Sequence, residues 1–521
     1  MMKTFLCEHK YILLPVRYEA EEKRLIFRAD GQPVLDLVIR LDPERPDVRF
    51  PVDIERFKGK TIALEAVSAC DFPLETCDAI SFPPDGAYRP FVHFTASRGW
   101  INDPNGLAYV DGRYVMYFQH NPVAVTWENM HWGLAESTDL IHWQEKGDVL
   151  FPDTMGTMFS GSGYVDVNNV SGLGRDGKAP LLCFYTAAGD TSETSKGSLT
   201  GQCLAYSNDG GRTLTKYARN PLIPQIEPLN RDPKVIPYPQ DHSFILVLFL
   251  IDHAFALFKS SDLLNWREIQ RLELPDDAEC PDFYPLTDPE GREKWIFTAA
   301  SDRYVIGTFD GDHFTPETEQ LRLNWGDTSY AAQFWSELPD GRRVRTAFAH
   351  AAPPDMPFSN CMILPQQMIL RLVNGDLRLC AEPVAELQQL VTDTKVFSGF
   401  TLTKDTSFVT PLASPACDMT LTAALDASFA ITLYGLTIRY DAEHRRICCN
   451  ERSAPVQGRE GMITLRVISD TLLTELFTDE GSVFMGLRCC HDQRPSTLTI
   501  TAENAVIASL RVSALRAYWN D

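Results

Sequence analysis

The stretch Ser137-Thr138-Asp139-Leu140-Ile141-His142-Trp143 decides the fold, because it recurs as Ser260-Ser261-Asp262-Leu263-Leu264-Asn265-Trp266. Two weaker copies lie at 207–214 and 308–314, so the aspartate of this turn recurs after 70, 53 and 48 residues. Repeats of about 40 to 50 residues with several short strands are typical of propeller blades, each of which is one four-stranded sheet. Chance similarity between Asp-Gly turns is the alternative, chiefly for the two weaker copies.

The chain on either side of this repeat is also rich in short strands. Before it, strand-like runs separated by turn-forming residues predict a small all-β unit with strands at 24–28, 34–41 and 61–67. Residues 81–90 are dense in Pro and Gly and are predicted to form a linker.

After about residue 375 the pattern changes to one short helix followed by alternating strands. The helix is predicted at 383–390, and the strands at 397–403, 431–440, 462–467 and 496–502. Period-two alternation with turns between the runs is typical of a β-sandwich. We therefore predict an all-β chain of three units, with boundaries at 1–88, 89–375 and 376–521.

Length and charge agree with three units and exclude two kinds of partner. The chain has 521 residues, and a domain takes about 150. It contains 48 Lys and Arg against 70 Asp and Glu, which gives a net charge of −22. Such a charge repels nucleic acid and anionic membrane surfaces. The longest apolar run, 244–251, has 8 residues, far fewer than the ~20 that span a bilayer.

The cysteines favour a reducing compartment. There are 13 of them, scattered and without a Cys-x-x-Cys pair, so neither a disulfide framework nor a zinc site is indicated. The apolar pair Phe5-Leu6 is followed at once by Cys7 and Glu8, and we read no export signal there. The sequence predicts a cytoplasmic protein with reduced thiols, no metal and no organic cofactor.

The densest candidate for chemistry is Trp100-Ile101-Asn102-Asp103-Pro104-Asn105-Gly106. In isolation, Asn-Asp-Pro-Asn-Gly is typical of a simple Asx turn. Here a strand that ends in Gln119 follows, and Trp127 comes soon after it. Aromatic rings beside amide groups suit a sugar, whose C–H faces stack on rings while its hydroxyl groups need polar partners.

Two further acidic segments extend this candidate site. They are Arg231-Asp232-Pro233 and Glu279-Cys280-Pro281-Asp282, and each alone is compatible with an exposed ion pair or a turn. Together with Asp103 they supply three carboxyl groups, each in a different predicted blade. Because blades converge on a central channel, residues far apart in sequence are able to meet there.

These ordered motifs resemble those of glycoside hydrolase family 32, the β-fructofuranosidases that include invertases, inulinases and levanases. The segment 100–106 looks like the family's nucleophile motif, and Phe159-Ser160-Gly161-Ser162 its substrate-contacting turn. Arg231-Asp232-Pro233 looks like its transition-state motif, and Glu279-Cys280 its acid/base motif. The resemblance runs from about residue 91 onward. It implies a five-bladed β-propeller joined to a C-terminal β-sandwich, preceded here by a small N-terminal β domain.

The resemblance also implies roles for single residues. Asp103 is expected to be the nucleophile, Glu279 the acid/base and Asp232 a partner of the fructosyl hydroxyl groups in a retaining double displacement. Glu279 must carry a proton before the first step, and neighbouring carboxylates favour that form. The predicted substrate contacts are Asn102, Gln119, Trp127, Phe159, Ser160, Arg231 and Tyr330. No catalytic role is expected for His93, His120, His131 or His142.

We therefore predict a retaining, exo-acting β-fructofuranosidase for fructo-oligosaccharides, sucrose or fructans. A fructosyltransferase on the same fold and a non-catalytic fructan-binding protein are the alternatives. The chain departs from the family's usual residues at His120, Thr328, Phe348 and 364–368, which leaves the choice of substrate open. A homodimer through the sandwich or the N-terminal domain is a further expectation.

Overall fold

The computed structural model describes residues 2–66, 74–80, 86–494 and 496–520, so residues 81–85 of the predicted linker lie outside the described residues. The chain is 56% strand and 3% helical, which confirms the all-β prediction. Within the described ranges, no helix is long and apolar enough to cross a membrane.

Seven strands form two sheets in the N-terminal unit. The four-stranded sheet has the order Met2–Leu6, Thr61–Ala66, Lys23–Ala29, Gln32–Ile39, and the three-stranded sheet has the order Val48–Asp53, Tyr11–Val16, Glu75–Cys77. A 3-10 helix, Glu55–Phe57, precedes strand Thr61–Ala66 in the chain. The turn Asp30-Gly31 has φ of 51° and 77°, as a two-residue hairpin requires. The three strands predicted here are confirmed, except that residue 67 lies outside the described part.

Five consecutive sheets follow between residues 99 and 383. In sheet order, the first sheet consists of Gln144–Leu150, His131–Ser137, Arg113–Asn121, Gly99–Val110 and Phe358–Ser359, and the second of Thr157–Val165, Leu181–Ala188, Gly201–Ser207 and Thr215–Lys216. The third sheet consists of Arg231–Tyr238, Ser243–Ile251, Ala254–Ser260 and Arg267–Glu273, and the fourth of Asp282–Thr287, Glu293–Thr298, Arg303–Phe309 and Phe314–Pro316, with Leu321–Arg322 paired to its third strand. The fifth sheet consists of Tyr330–Phe334, Val344–Ala349, Gln366–Val373 and Asp376–Pro383, with Cys361–Met362 paired to its second strand.

The repeated turn occupies the same place in four of these sheets. Each copy begins at the end of the strand that is third in chain order. Asp139 Oδ1 accepts the backbone N–H groups two and three residues on, at 3.1 and 2.9 Å. Asp262 does the same at 2.9 and 2.7 Å, and Asp310 at 3.0 and 2.7 Å. Asp209 accepts those three and four residues on, at 3.1 and 3.0 Å. The weaker copies are therefore genuine repeats and not chance similarities.

The first strands of the five sheets lie against one another. Each contacts the first strand of the next sheet, and the fifth contacts the first. The approach is close enough that a Cβ on Gly163 would lie 2.4 Å from the carbonyl oxygen of Gly106. A short parallel pairing of Phe358–Ser359 with Gly99 and Trp100 also joins late residues to the first sheet.

Two six-stranded sheets make up the C-terminal part. Their orders are Val391–Thr403, Asn504–Leu515, Ala416–Ala424, Met462–Ser469, Leu473–Thr478, Val483–Arg488 and Ser407–Leu412, Ser496–Ala502, Phe429–Leu433, Leu436–Asp441, Arg446–Cys449, Arg452–Pro455. The short 3-10 helices are Ala385–Leu390, Asp479–Gly481 and Tyr518–Asn520. The single strand predicted at 431–440 was wrong: Tyr434 and Gly435, with φ of 47° and 83°, form a hairpin turn that divides it into two strands. The predicted boundary at 375 falls inside the turn between two paired strands of the fifth sheet.

A buried charged group joins the central and C-terminal parts. The fully buried His93 ring lies between Asp470 and Glu475, with Nδ1 and Nε2 each 3.0 Å from a carboxylate oxygen. The twelve cysteines among the described residues are all free. The absence of disulfides among the described residues does not test where the protein resides, so the cytoplasmic location stays a prediction.

Candidate active site

Most candidate residues lie near the beginning of the first strands of the sheets, and four of these five strands are irregular there. In the fourth sheet, Glu279 and Cys280 precede the strand Asp282–Thr287, whose pairing is regular. Pairing with the second strand shifts register between Ile101 and Pro104, between Phe159 and Gly161, between Arg231 and Lys234, and between Tyr330 and Gln333. Such bulges turn side chains away from the regular alternation of a strand. They bring Asp103, Ser160, Asp232 and Tyr330 to one side of the sheets. The predicted substrate-contacting turn at 159–162 is therefore a bulged strand, Thr157–Val165.

Asp103 lies at the centre of the cluster and is 9% exposed. Its Oδ2 accepts hydrogen bonds from Ser160 Oγ at 2.5 Å and from Cys280 Sγ at 3.3 Å, and its Oδ1 accepts one from Asn102 Nδ2 at 3.1 Å. Burial, together with the Glu279 charge, raises the pKa of Asp103 to about 6 against the hydrogen bonds from Ser160 and Cys280. The carboxyl group is therefore held in place by three donors and is ionised above about pH 6.

Asp232 is joined to Asp103 through Cys280. Its Oδ2 accepts the Cys280 N–H at 3.0 Å and lies 3.5 Å from Cys280 Sγ. Glu279 and Cys280 have φ of 58° and 39° and Asp232 has φ of 65°, left-handed conformations that are uncommon for residues other than glycine. Burial raises the pKa of Asp232 to about 7, with Arg231 opposing the rise and Asp103 adding to it. The strained backbone is what aims the thiol at both carboxyl groups.

Glu279 lies at the more open side of the cluster, with its side chain 35% exposed. Arg231 Nη2 donates to Oε1 at 2.6 Å, and the Tyr330 hydroxyl donates to Oε2 at 3.2 Å. Arg231 Nε is also 3.8 Å from Asp232. One guanidinium group therefore orients the carboxyl group of Glu279 and partly neutralises that of Asp232.

Amide groups around the carboxyl groups have unused hydrogen-bonding atoms. Gln119 Nε2 donates to Ser160 Oγ at 3.1 Å, while the buried Oε1 of Gln119 and Oδ1 of Asn102 have no partner in the protein. A buried polar atom without a partner is costly. Acceptors of this kind are suited to the hydroxyl groups of a bound sugar.

Two aromatic rings, those of Trp127 and Phe159, lie next to Ser160 in the chain or contact its neighbour. Trp127 is 52% exposed and meets the ring of Phe159 edge to face, with centroids 6.2 Å apart. Trp132, in contrast, is fully buried and donates its indole N–H to the Phe159 carbonyl oxygen at 3.1 Å. Of the tryptophans that follow Gln119, Trp127 alone combines exposure with contact to a candidate residue, and Trp132 packs in the core.

Eight of the ten predicted site residues are linked by hydrogen bonds or ion pairs through Cys280, and Trp127 and Phe159 contact each other next to Ser160 in the chain. Two nearby kinds of group lie outside this network. Asp282, which the sequence placed beside Glu279, is buried and forms an ion pair with Lys234 at 3.2 Å. His120 pairs with Asp148 at 2.5 Å, and His93, His131 and His142 have partners outside the cluster. Cys280 was missed as a functional residue, although it stands inside a recognised motif. Its role depends on left-handed backbone angles that no residue pattern reveals.

Comparison with known proteins assigns this arrangement to a family. The model of the glycosyl hydrolases family 32 N-terminal domain matches residues 93–383, more than half of the chain. Levanase of Bacillus subtilis is 28% identical over 510 residues, which cover 86% of this chain and 73% of that protein. The extracellular exo-inulinase of Aspergillus ficuum is 32% identical over 371 residues, 61% of this chain and 68% of that protein.

Solved structures agree in fold. The exo-inulinase of Aspergillus awamori superposes with a TM-score of 0.75 at 24% identity and covers 84% of this chain and 100% of its own. A β-fructofuranosidase of Schwanniomyces occidentalis, solved with fructosyl-erythritol, gives the same TM-score and identity over 82% of this chain and 98% of its own. With the family model covering every candidate residue from Asn102 to Tyr330, this chain belongs to glycosyl hydrolase family 32.

Proposed function

We propose that the chain is a retaining β-fructofuranosidase that releases terminal fructosyl units. The observation that carries the proposal is the grouping of Asp103, Asp232 and Glu279 around Cys280 and Arg231. Three carboxyl groups from three sheets meet in one partly open cluster, beside amide oxygens without partners and an exposed tryptophan. The names of relatives, which include levanase, exo-inulinase and invertase, support fructosides as the substrate class.

Each group has one task in the proposed reaction. In the first step Asp103 attacks the anomeric carbon while the bond to the leaving oxygen breaks and Glu279 gives that oxygen its proton. In the second step Glu279 takes a proton from water, and the water oxygen displaces Asp103 from the fructosyl unit. Asp232 accepts hydrogen bonds from the fructosyl hydroxyl groups, and these strengthen as positive charge develops on the ring.

The protonation of the buried pair sets the acidic limit of this reaction. A nucleophile must be ionised, and the pKa of Asp103 is about 6 while that of Asp232 is about 7. Because the two groups interact, their protons leave in two steps that belong to the pair. We expect kcat/KM to fall as the pH decreases through this range.

The architecture that we propose is a five-bladed propeller closed between its first and fifth sheets, joined to a β-sandwich. Contacts between consecutive first strands, and between the fifth and the first, support it. The N-terminal unit ends near residue 88. The hairpin Gln366–Val373 and Asp376–Pro383 leads us to end the central domain after Pro383.

The test is a substrate panel of sucrose, kestose, inulin and levan with chromatography of the products over time. Early release of fructose alone supports exo-hydrolysis, early oligosaccharides indicate endo cleavage, and glucose in excess of fructose from sucrose indicates transfer. Asp103→Asn and Glu279→Gln are each expected to lower the rate, the latter by roughly 10²- to 10⁴-fold for a lost general acid. Glu290→Gln, at an acid whose side chain is 60% exposed, is the control. Full activity of Asp103→Asn would refute the proposal. Sizing of the same protein tests the predicted homodimer.

A further inference from the structure

The loop 122–130 carries Trp127 and joins strand Arg113–Asn121 to strand His131–Ser137. Trp127 is 52% exposed, and Phe159 is its ring partner. A ring with so little packing of its own depends on its loop for its position. What holds the loop therefore determines where the indole stands relative to the carboxyl cluster.

The apolar side of this loop is inserted into the N-terminal unit. Val123 is fully buried and belongs to the hydrophobic core of that unit, and Val125 packs against the same core. On the other side, Ser359 Oγ donates to the Val125 carbonyl oxygen at 2.7 Å. The loop thus lies between the N-terminal core and the central domain and is packed from both sides.

Asn129 fastens the far end of the loop to a strand edge. Its Oδ1 accepts the Val38 N–H at 2.8 Å and its Nδ2 donates to the Val38 carbonyl oxygen at 2.8 Å. Val38 lies on Gln32–Ile39, the edge strand of the four-stranded sheet. Nδ2 also lies 3.1 Å from Asn121 Oδ1, so this one amide ties the strand edge to the base of the loop. Asn129 is 5% exposed and has φ of 51°.

The N-terminal unit also holds a second loop on the same side. Asp36, which is 6% exposed, accepts the Glu193 N–H at 2.7 Å and pairs with Arg24 at 2.6 Å. Glu193 lies between strands Leu181–Ala188 and Gly201–Ser207. Both loops connect the second strand of a sheet to its third. In an antiparallel sheet, this connection lies at the end of the sheet where the first strand begins. That is the end where Asp103 and Ser160 lie.

We propose that the N-terminal unit is a positioning element of the substrate site, acting through Asn129 and Val123 on Trp127. It sets how firmly the fructosyl unit is held and does not take part in bond cleavage. The inference rests on the proposed function, in which Trp127 contacts a fructoside. Asn129 is a positioning residue because it touches neither the substrate nor the reacting groups.

Asn129→Gly is the variant that tests this, since glycine keeps the left-handed backbone and removes both hydrogen bonds to Val38. With kestose as substrate, we expect KM to rise about tenfold, which corresponds to the net loss of one or two hydrogen bonds, while kcat stays nearly unchanged. Leu465→Ala, in the hydrophobic core of the C-terminal sheets, is the control. It lowers thermal stability and leaves KM unchanged.

Two further measurements separate positioning from general damage. In a Trp127→Ala background, Asn129→Gly is expected to change KM little, because the residue that it positions is gone. Hydrogen exchange of 122–130 is expected to accelerate in Asn129→Gly, and this readout needs no substrate. Unchanged KM, unchanged exchange, or an equal rise in KM in Leu465→Ala would each overturn the inference. An inactive wild-type enzyme would instead refute the proposed function, while the exchange experiment would still decide the positioning of the loop.

Discussion

Ser160→Ala offers a direct test of how the cluster controls Asp103. The Ser160 hydroxyl donates to Asp103 Oδ2 at 2.5 Å, and this bond is one of those that hold the pKa of Asp103 down against burial. A hydrogen bond to an ionised group contributes roughly 1.5 to 3 kcal/mol, and one pKa unit corresponds to about 1.36 kcal/mol. Because Cys280 and Asn102 remain as donors, we expect the pKa of Asp103 to rise by about one unit.

The sign of the effect on activity follows from the role of the group. Asp103, as the proposed nucleophile, must be ionised to react, so a higher pKa of Asp103 moves the acidic limb of kcat/KM to higher pH. On the acidic side, where the rate falls tenfold per unit, the variant is expected to be about tenfold slower relative to its own maximum. The assay is the release of fructose from a short fructoside, measured as kcat/KM from pH 4 to 8.

A matched variant separates this effect from the loss of a substrate contact. Ser160→Thr keeps the hydroxyl donor and is expected to restore the wild-type limb. A uniform loss of activity in Ser160→Ala without movement of the acidic limb would refute the electrostatic argument.

Two further predictions concern stability. Lys234→Met leaves the carboxyl group of Asp282 buried without its ion-pair partner, a lysine whose side chain is only 2% exposed. We expect the free energy of unfolding, measured in urea, to fall by about 3 to 5 kcal/mol, and to recover largely in Lys234→Met/Asp282→Leu. A double variant as unstable as the single one would contradict this. Burial alone would lower the pKa of His93, but the hydrogen bonds that its ring donates to the carboxylates of Asp470 and Glu475 raise that pKa from 6.5 to about 9. The folded state therefore holds a proton that the unfolded chain releases, so the stabilisation is full below pH 6.5 and is lost as pH rises through 9. His93→Gln is expected to lack this pH dependence, and equal slopes of stability against pH in both proteins would refute it.

Much of the fold could be predicted from the sequence because its signals are local. The aspartate turn is defined within four residues by the hydrogen bonds that Asp139 and Asp262 accept, so a short pattern identifies it. Strand alternation is equally local. The division of 431–440 into two strands was missed, although Gly435 and the change of apolar positions from odd to even numbers mark the turn in the sequence. Tyr434 concealed it, because a tyrosine with a positive φ is not a usual turn residue.

The same distinction between local and long-range signals applies to the candidate site. Asp103, Asp232 and Glu279 were found because each stands in a short motif. Their arrangement depends on bulges and on the left-handed angles of Glu279 and Cys280, which arise from pairing between distant strands. The same holds for Lys234, which pairs with Asp282 although an ion pair between residues of two sheets has no sequence signature.

The strain at Cys280 explains why the central carboxyl groups are able to share one donor. A regular strand would turn alternate residues to opposite faces, so neighbouring residues could not both serve the site. With Glu279 and Cys280 both left-handed, Glu279 reaches Arg231 and Tyr330 while the adjacent thiol reaches Asp103 and Asp232. Such backbone angles cost of order 1 to 3 kcal/mol each. The contacts that they permit are made in the buried part of the site, where charge–dipole interactions are strongest. The backbone at 279–280 therefore contributes to the electrostatics of the site, and it links the proposed proton donor, Glu279, to the proposed nucleophile, Asp103.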